Sequence, residues 1–194
     1  MLLRSVTAPR AGSVLDLGCG YGAYICAEAL RLVKEAGGAS GDLVAAGTVQ
    51  EEIGLRGGTT SAYSQDPVVG IAVEVTHATD YLDVDKRKFG EVCCGKGPVL
   101  ARGANINPKV LALLIEAAEA EKIPYQIEGA PRGTGTDANA IQLSRGGKAA
   151  ALVSVALRYM HTPTEVLALE DVENTAKLLA AFVRRLDPKT DFTP

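Results

Sequence analysis

The 194-residue chain carries no surplus of charge of either sign, with 20 Lys and Arg against 23 Asp and Glu and a net charge of -3. Nucleic acid and anionic membrane surfaces therefore have no electrostatic reason to bind it, and both are disfavoured as partners. It also lacks an uninterrupted apolar stretch near its start. Glu28 and Arg31 break the segment 24–33, which reads as neither a signal peptide nor a membrane span. The expected location is the cytoplasm. Cysteine is scarce and unpatterned: Cys19, Cys26, Cys93 and Cys94 form no CxxC pair, and neither of the two histidines stands at finger spacing. A structural zinc module and a disulfide framework are excluded on that ground. The vicinal Cys93-Cys94 pair, in a strand-like context, reads as structural. Internal repeats and low-complexity tracts are absent too.

The chain's 47% apolar and 22% charged content suits one ordinary globular domain over residues 1–194, with one substantial core. Three nearly continuous apolar runs, 43–49, 68–75 and 149–157, have the length and composition of buried strands. Between them lie helical patterns. Ile25, Ala27, Leu30, Leu32 and Val33 mark one; Asn107 can cap another that begins at Pro108 and buries Val110, Leu113, Leu114 and Ala117. In the last, Val172, Ala176, Leu179, Val183 and Leu186 form a single stripe. Strands alternating with helices predict an α/β fold with a mixed, mostly parallel sheet flanked by helices. Residues 1–12 show no periodicity and read as irregular. Residues 89–107 read as irregular strands and turns.

The strand candidates end at chemistry. The first stops at Glu51-Glu52, the second contains Glu74 as its one charged member, and the third delivers Arg158-Tyr159-Met160-His161 to its carboxyl end. In open α/β sheets ligands bind at that edge. Adjacent carboxylates suit a divided task, one holding a metal ion and the other moving a proton. Asp83, Asp85 and their neighbour Asp80 read as a solvated acidic turn. A different reading starts from residues 14–22, a strand running into a glycine turn and a helix, which resembles motif I of the methyltransferases that use S-adenosylmethionine. Glu51 would then be the ribose-binding acid.

Five segments in order carry a more specific likeness: 48–57 (TVQEEIGLRG), 72–78 (AVEVTHA), 95–98 (GKGP), 131–138 (PRGTGTDA) and 158–163 (RYMHTP). Together they resemble the M42 family of metallopeptidases, colinear from about Glu28 to Leu186. The resemblance implies a zinc-peptidase-like catalytic domain that removes N-terminal residues from peptides with two zinc or cobalt ions. It implies Glu51 as the general base, Glu52 and His161 as ligands of one metal, and Glu74 as the carboxylate ligand of the other. Asp137 and Arg56 would face substrate, and a homo-oligomer is the expected assembly. Two departures are expected. The N-terminal segment with a further His ligand and the dimerisation insert are absent, and Gly18 stands where the bridging aspartate belongs, with Asp16 two residues earlier as its possible substitute. A competing, non-enzymatic reading is an inactive remnant that persists as an interaction or assembly module.

Overall fold

The computed structural model describes residues 2–6, 10–17 and 21–193, with the main chain alone for 2–6, 10–17 and Phe89. In chain order the elements are β1 (Leu2–Val6), β2 (Arg10–Leu17), α1 (Tyr21–Glu35), β3 (Asp42–Gly47), α2 (Arg56–Gln65), β4 (Pro67–His77), α3 (Lys86–Phe89), β5 (Val99–Gly103), α4 (Pro108–Ala120), β6 (Gln126–Ala130), α5 (Asp137–Gln142), β7 (Ala149–Leu157) and α6 (Leu169–Arg184). The seven strands form one sheet in the order β3-β2-β1-β4-β7-β5-β6. It is mixed and mostly parallel, as the alternating pattern predicts: β2 with β3 and with β4, β4 with β7, and β5 with β6 are parallel, while β1 and the β5–β7 pairing are antiparallel.

The middle of the sheet is the β4–β7 pair, in continuous register from Val69↔Ala149 to His77↔Leu157. Both strands are buried along most of their length, which is why they read as near-continuous apolar runs. β3, by contrast, lies at the sheet's edge and is only half-buried. Its apolar run continues to Val49, but the strand ends at Gly47, because Thr48 onward turns away to enter α2. Residues 2–6, irregular by their side-chain pattern, form β1 through main-chain pairing with β2 and β4. β5 likewise emerges from the 89–107 segment as a regular strand.

Helices α1, α4 and α6 pack together over the sheet, and α2 with α5 covers β4, β7 and β1. The α6 stripe is buried as its spacing predicts, with Val172, Ala176, Leu179, Val183 and Leu186 all inside. Asn107 caps α4, its Oδ1 accepting from the N–H of Lys109 at 3.0 Å and of Val110 at 3.1 Å. The Gly95 to Pro98 signature is held by Asp171 of α6, whose carboxylate accepts from Gly95 N–H at 2.6 Å and Gly97 N–H at 2.7 Å. Gly97 has φ +87°, and a Cβ there would collide with the Pro124 carbonyl. Glycine is required at that crossing by space as well as by backbone conformation. The Cys93-Cys94 pair sits in the same framework: Cys93 N–H donates to Gln126 Oε1 at 2.8 Å, and burial pushes the Cys94 thiol up.

Candidate active site

β3, β4 and β7 run in the same direction, so their carboxyl ends share one edge of the sheet. Four residues beyond β3 the chain makes a tight turn into α2. Glu51 carbonyl accepts from Gly54 N–H at 3.1 Å and Leu55 N–H at 2.9 Å, while Gly57 N–H returns to Val49 O at 2.8 Å. The turn needs positive φ at Gln50 (61°), Gly54 (119°) and Leu55 (55°), of which only Gly54 adopts it without strain. A Cβ on Gly57 would collide with the Val49 main chain. The Glu51-Glu52 turn is therefore pinned at both ends.

The second arm leaves β7. Arg158 pairs with Val166 in an isolated bridge, closing a loop in which Tyr159 (φ 59°) and His161 (φ 61°) also take the left-handed conformation. Glu165 Oε1 accepts from His161 N–H at 2.8 Å, and Arg158 forks onto Asp80 with both bonds at 2.7 Å. The Arg158 guanidinium, backed by Cys94 N–H, holds the Asp80 carboxyl below its ordinary range against the opposing effect of burial. Asp80, expected in a solvated turn, is instead a half-buried clamp between the ends of β4 and β7. Its signal was the Arg on the other strand end, which no spacing along the chain connects to it.

The two arms meet. Glu52 Oε1 and His161 Nε2 lie 3.0 Å apart across 109 residues of chain, with side chains 67% and 66% exposed. Glu51, beside them, is less exposed. Burial raises its carboxyl above the ordinary range, the negative charges of Glu52 and Asp137 add to that, and His161 opposes it. A carboxylate and an imidazole are a donor pair suited to zinc or cobalt. Their separation approaches the edge of a tetrahedral site with metal–ligand bonds near 2.0–2.1 Å, roughly 3.3 Å. Two exposed donors are fewer than the three or four protein ligands of a zinc site, and among the described residues no third His, Cys, Asp or Glu joins them.

The remaining candidates fall elsewhere. Glu74 sits in β4 opposite Ser154 and lines a small cavity of about 40 Å³ with Tyr21, Gly22 and Ile25 of α1. Among the described residues no group of three or more His, Cys, Asp or Glu could hold a metal, so Glu74 does not join Glu52 and His161. The Asp16 side chain and the glycine turn 18–20 lie outside the described residues. Arg56 is the exposed first residue of α2, and His77 is exposed at the end of β4. Asp137 is not on a surface at all: it is fully buried beside Gly58 of α2.

Next to the pair, Tyr159 packs on Tyr81 with ring centroids 5.4 Å apart at 50°. Tyr81 in turn lines a cavity of about 600 Å³ at the end of β4, together with His77, Asp83, Asp85, Lys88 and Glu128. Its sequence signal was only an acidic run.

The chain is an α/β domain that brings a carboxylate and an imidazole together at the carboxyl edge of its sheet, where such folds bind ligands. Over residues 20–178 the chain matches the family model described as M42 glutamyl aminopeptidase, and it belongs to that family. A lysyl aminopeptidase of Pyrococcus furiosus is 44% identical over 171 residues, which are 88% of this chain and 48% of that protein. Among solved structures, the TET aminopeptidase of a marine-sediment Thaumarchaeota archaeon is 31% identical with a TM-score of 0.81, over 95% of this chain and 52% of that one. The Pyrococcus horikoshii TET1 peptidase, which can assemble into a tetrahedron or a large octahedral shell, is 28% identical with a TM-score of 0.68, over 86% of this chain and 48% of that one. The chain spans about half the length of the curated relatives it matches. Among the described residues no helix is long and apolar enough to cross a membrane.

Proposed function

We propose that this chain is the catalytic portion of a metal-dependent aminopeptidase, acting on the N-terminal residue of peptides. The observation that carries this reading is the meeting of Glu52 and His161 with Glu51 alongside. Glu52 Oε1 and His161 Nε2 would hold one zinc or cobalt ion, and Glu74 is the proposed ligand of a second. A divalent ion held there would supply polarisation of the scissile carbonyl and a more acidic water. Glu51, kept basic by burial and by its two acidic neighbours, takes the proton from the attacking water and returns it to the departing amine. The left-handed turns on both arms set these side chains in place before substrate arrives. Arg56, exposed at the start of α2, is placed to meet substrate or a neighbouring copy, and a homo-oligomer is the proposed assembly.

A basic N-terminal residue is the proposed preference; the 600 Å³ cavity carries Asp83, Asp85 and Glu128 beside Lys88, with Asp85 paired to Arg87 and Glu128 accepting from Thr76, and Tyr81 of its lining packs on Tyr159 of the His161 loop. The lysyl activity of the Pyrococcus furiosus relative supports the same preference. The test is to measure zinc content after purification and rates on chromogenic aminoacyl substrates, beside Glu51→Gln. The expected result is bound zinc in both proteins, faster turnover of lysyl than glutamyl substrates, and a fall of about 10²-fold or more in the variant. Protein that takes up no zinc and cleaves nothing supports the assembly-module reading instead.

A further inference from the structure

The main-chain ladder between β4 and β7 ends at Ala78, whose N–H donates to Leu157 O at 2.9 Å. One residue further the two chains part: Thr79 N–H turns to Val92 O at 2.7 Å, and Arg158 N–H to Val166 O at 2.9 Å. Side chains then take over the joining. Arg158 forks onto Asp80 with both bonds at 2.7 Å, and the next residue on each chain repeats the pairing, Tyr81 against Tyr159. Asp80 also accepts from Cys94 N–H at 3.0 Å. Two consecutive residues beyond β4 thus grip two consecutive residues beyond β7, and His161 stands two positions past the second of these.

The grip is needed because little else fixes the loop. Residues 161–166 are all exposed, so burial contributes little to their placement. Tyr159 and His161 have φ near +60°, a conformation that a non-glycine residue keeps only where its surroundings impose it. The bonds inside the loop are local: Tyr159 O accepts from Thr162 N–H at 3.1 Å and Glu165 Oε1 from His161 N–H at 2.8 Å. They shape the loop without tying it to β4. Of the longer contacts, that with Glu52 is about two-thirds exposed, and Cys94 Sγ reaches Val166 O only at 3.9 Å.

We infer that Asp80 and Arg158 are positioning residues, whose fork, with the Tyr81–Tyr159 contact beside it, fixes the direction in which the 159–165 loop leaves the sheet and so presents His161 to Glu52. The ordering of the loop stands on these contacts alone; its consequence for turnover rests on the peptidase reading above. What matters is the planar, two-bond geometry of the guanidinium and not its charge, because a single bond would leave the loop free to swing.

The experiment is backbone ¹⁵N relaxation and urea unfolding of the wild-type chain, Asp80→Asn and Arg158→Lys, with kcat and KM on a lysyl chromogenic substrate. Lysine keeps the charge and loses the fork. The expected result is order parameters of about 0.85 at His161 and Thr162 in wild type and below about 0.6 in both variants, with the β4–β7 ladder unchanged. In the same variants kcat falls by about tenfold or more while KM changes little. Folded variants whose loop stays as ordered as wild type overturn the inference, whatever their urea midpoints, and mark the fork as a structural prop. A loop that loosens in Asp80→Asn alone shows that charge suffices and overturns the role of the fork, and a loosened loop with unchanged kcat overturns the consequence for turnover. Failure of both variants to fold counts against the inference. A wild-type chain without turnover removes the peptidase reading only, since the order parameters still decide whether the fork positions the loop.

Discussion

Asp171 and Asp137 are both fully buried and both stand in the first turn of a helix, yet they are opposite in every other respect. Asp171 accepts two short bonds from the Gly95 and Gly97 N–H groups and so fastens a loop to α6. Asp137 accepts none. Depth does not distinguish them; what does is whether the fold has built donors around the charge. Where it has, the acid holds the architecture.

The largest effect should come from the satisfied member. Asp171→Ala removes two hydrogen bonds to a charged acceptor and leaves two loop N–H groups without one, a loss of about 3 kcal/mol or more. Urea unfolding would show it as a large drop in midpoint. A loss below about 1 kcal/mol would break the comparison, since the donors around Asp171 would then contribute no more than an ordinary surface contact.

A smaller loss is expected at Asp80, which is intermediate between the two: its side chain is largely buried, and its fork with Arg158 joins the ends of β4 and β7 just behind the His161 loop. Asp80→Asn should cost about 1–3 kcal/mol at neutral pH. The sign with pH follows from the lowered carboxyl. A group whose folded-state pKa lies below its unfolded value stabilises above the ordinary carboxylate range, and that contribution disappears as pH falls through the lowered value. Wild type and variant should therefore converge in stability as denaturation is repeated at progressively lower pH. A gap that stays constant into strong acid would show that packing, not the ion pair, carries the difference.

How far these features could be read from the chain depends on the range over which each is encoded. β4 and β7 were legible because a strand buried on both faces must be apolar at nearly every position, and the α6 stripe because a helix repeats every three to four residues. Glu52 and His161 were legible as residues that separate strands deliver to one edge of a parallel sheet, although 109 residues separate them; Glu74, read as the third of that group, does not join them. The rest had no local signature. Asp80 looks like a member of an acidic turn until Arg158 arrives from another strand, and Asp137 looks like a polar loop residue until Gly58 of a different helix closes over it. β1 was missed because its pairing is a main-chain property on which side-chain periodicity is silent. Side-chain patterns record which residues face the core; they do not record which distant residue completes a charge.

The smallest effect on stability is expected at the rim itself, and that is informative. Glu52 and His161 are both about two-thirds exposed, so their contact is screened by water, and an exposed pair of this kind contributes between nothing and about 1 kcal/mol. Glu52→Gln should leave the unfolding midpoint in chelator within about 0.5 kcal/mol of wild type, while on the proposed metal reading zinc uptake falls because a proposed ligand has lost its charge. The left-handed turns that present this pair are held by main-chain bonds, Glu51 O to Leu55 N–H and Tyr159 O to Thr162 N–H, which the substitution does not touch. Stability and metal binding should therefore come apart here, in the opposite sense to Asp171, where stability falls and the rim is untouched. A Glu52 variant that unfolds readily would mean that the rim contact holds the two arms together by itself, and the contrast with Asp171 would fail.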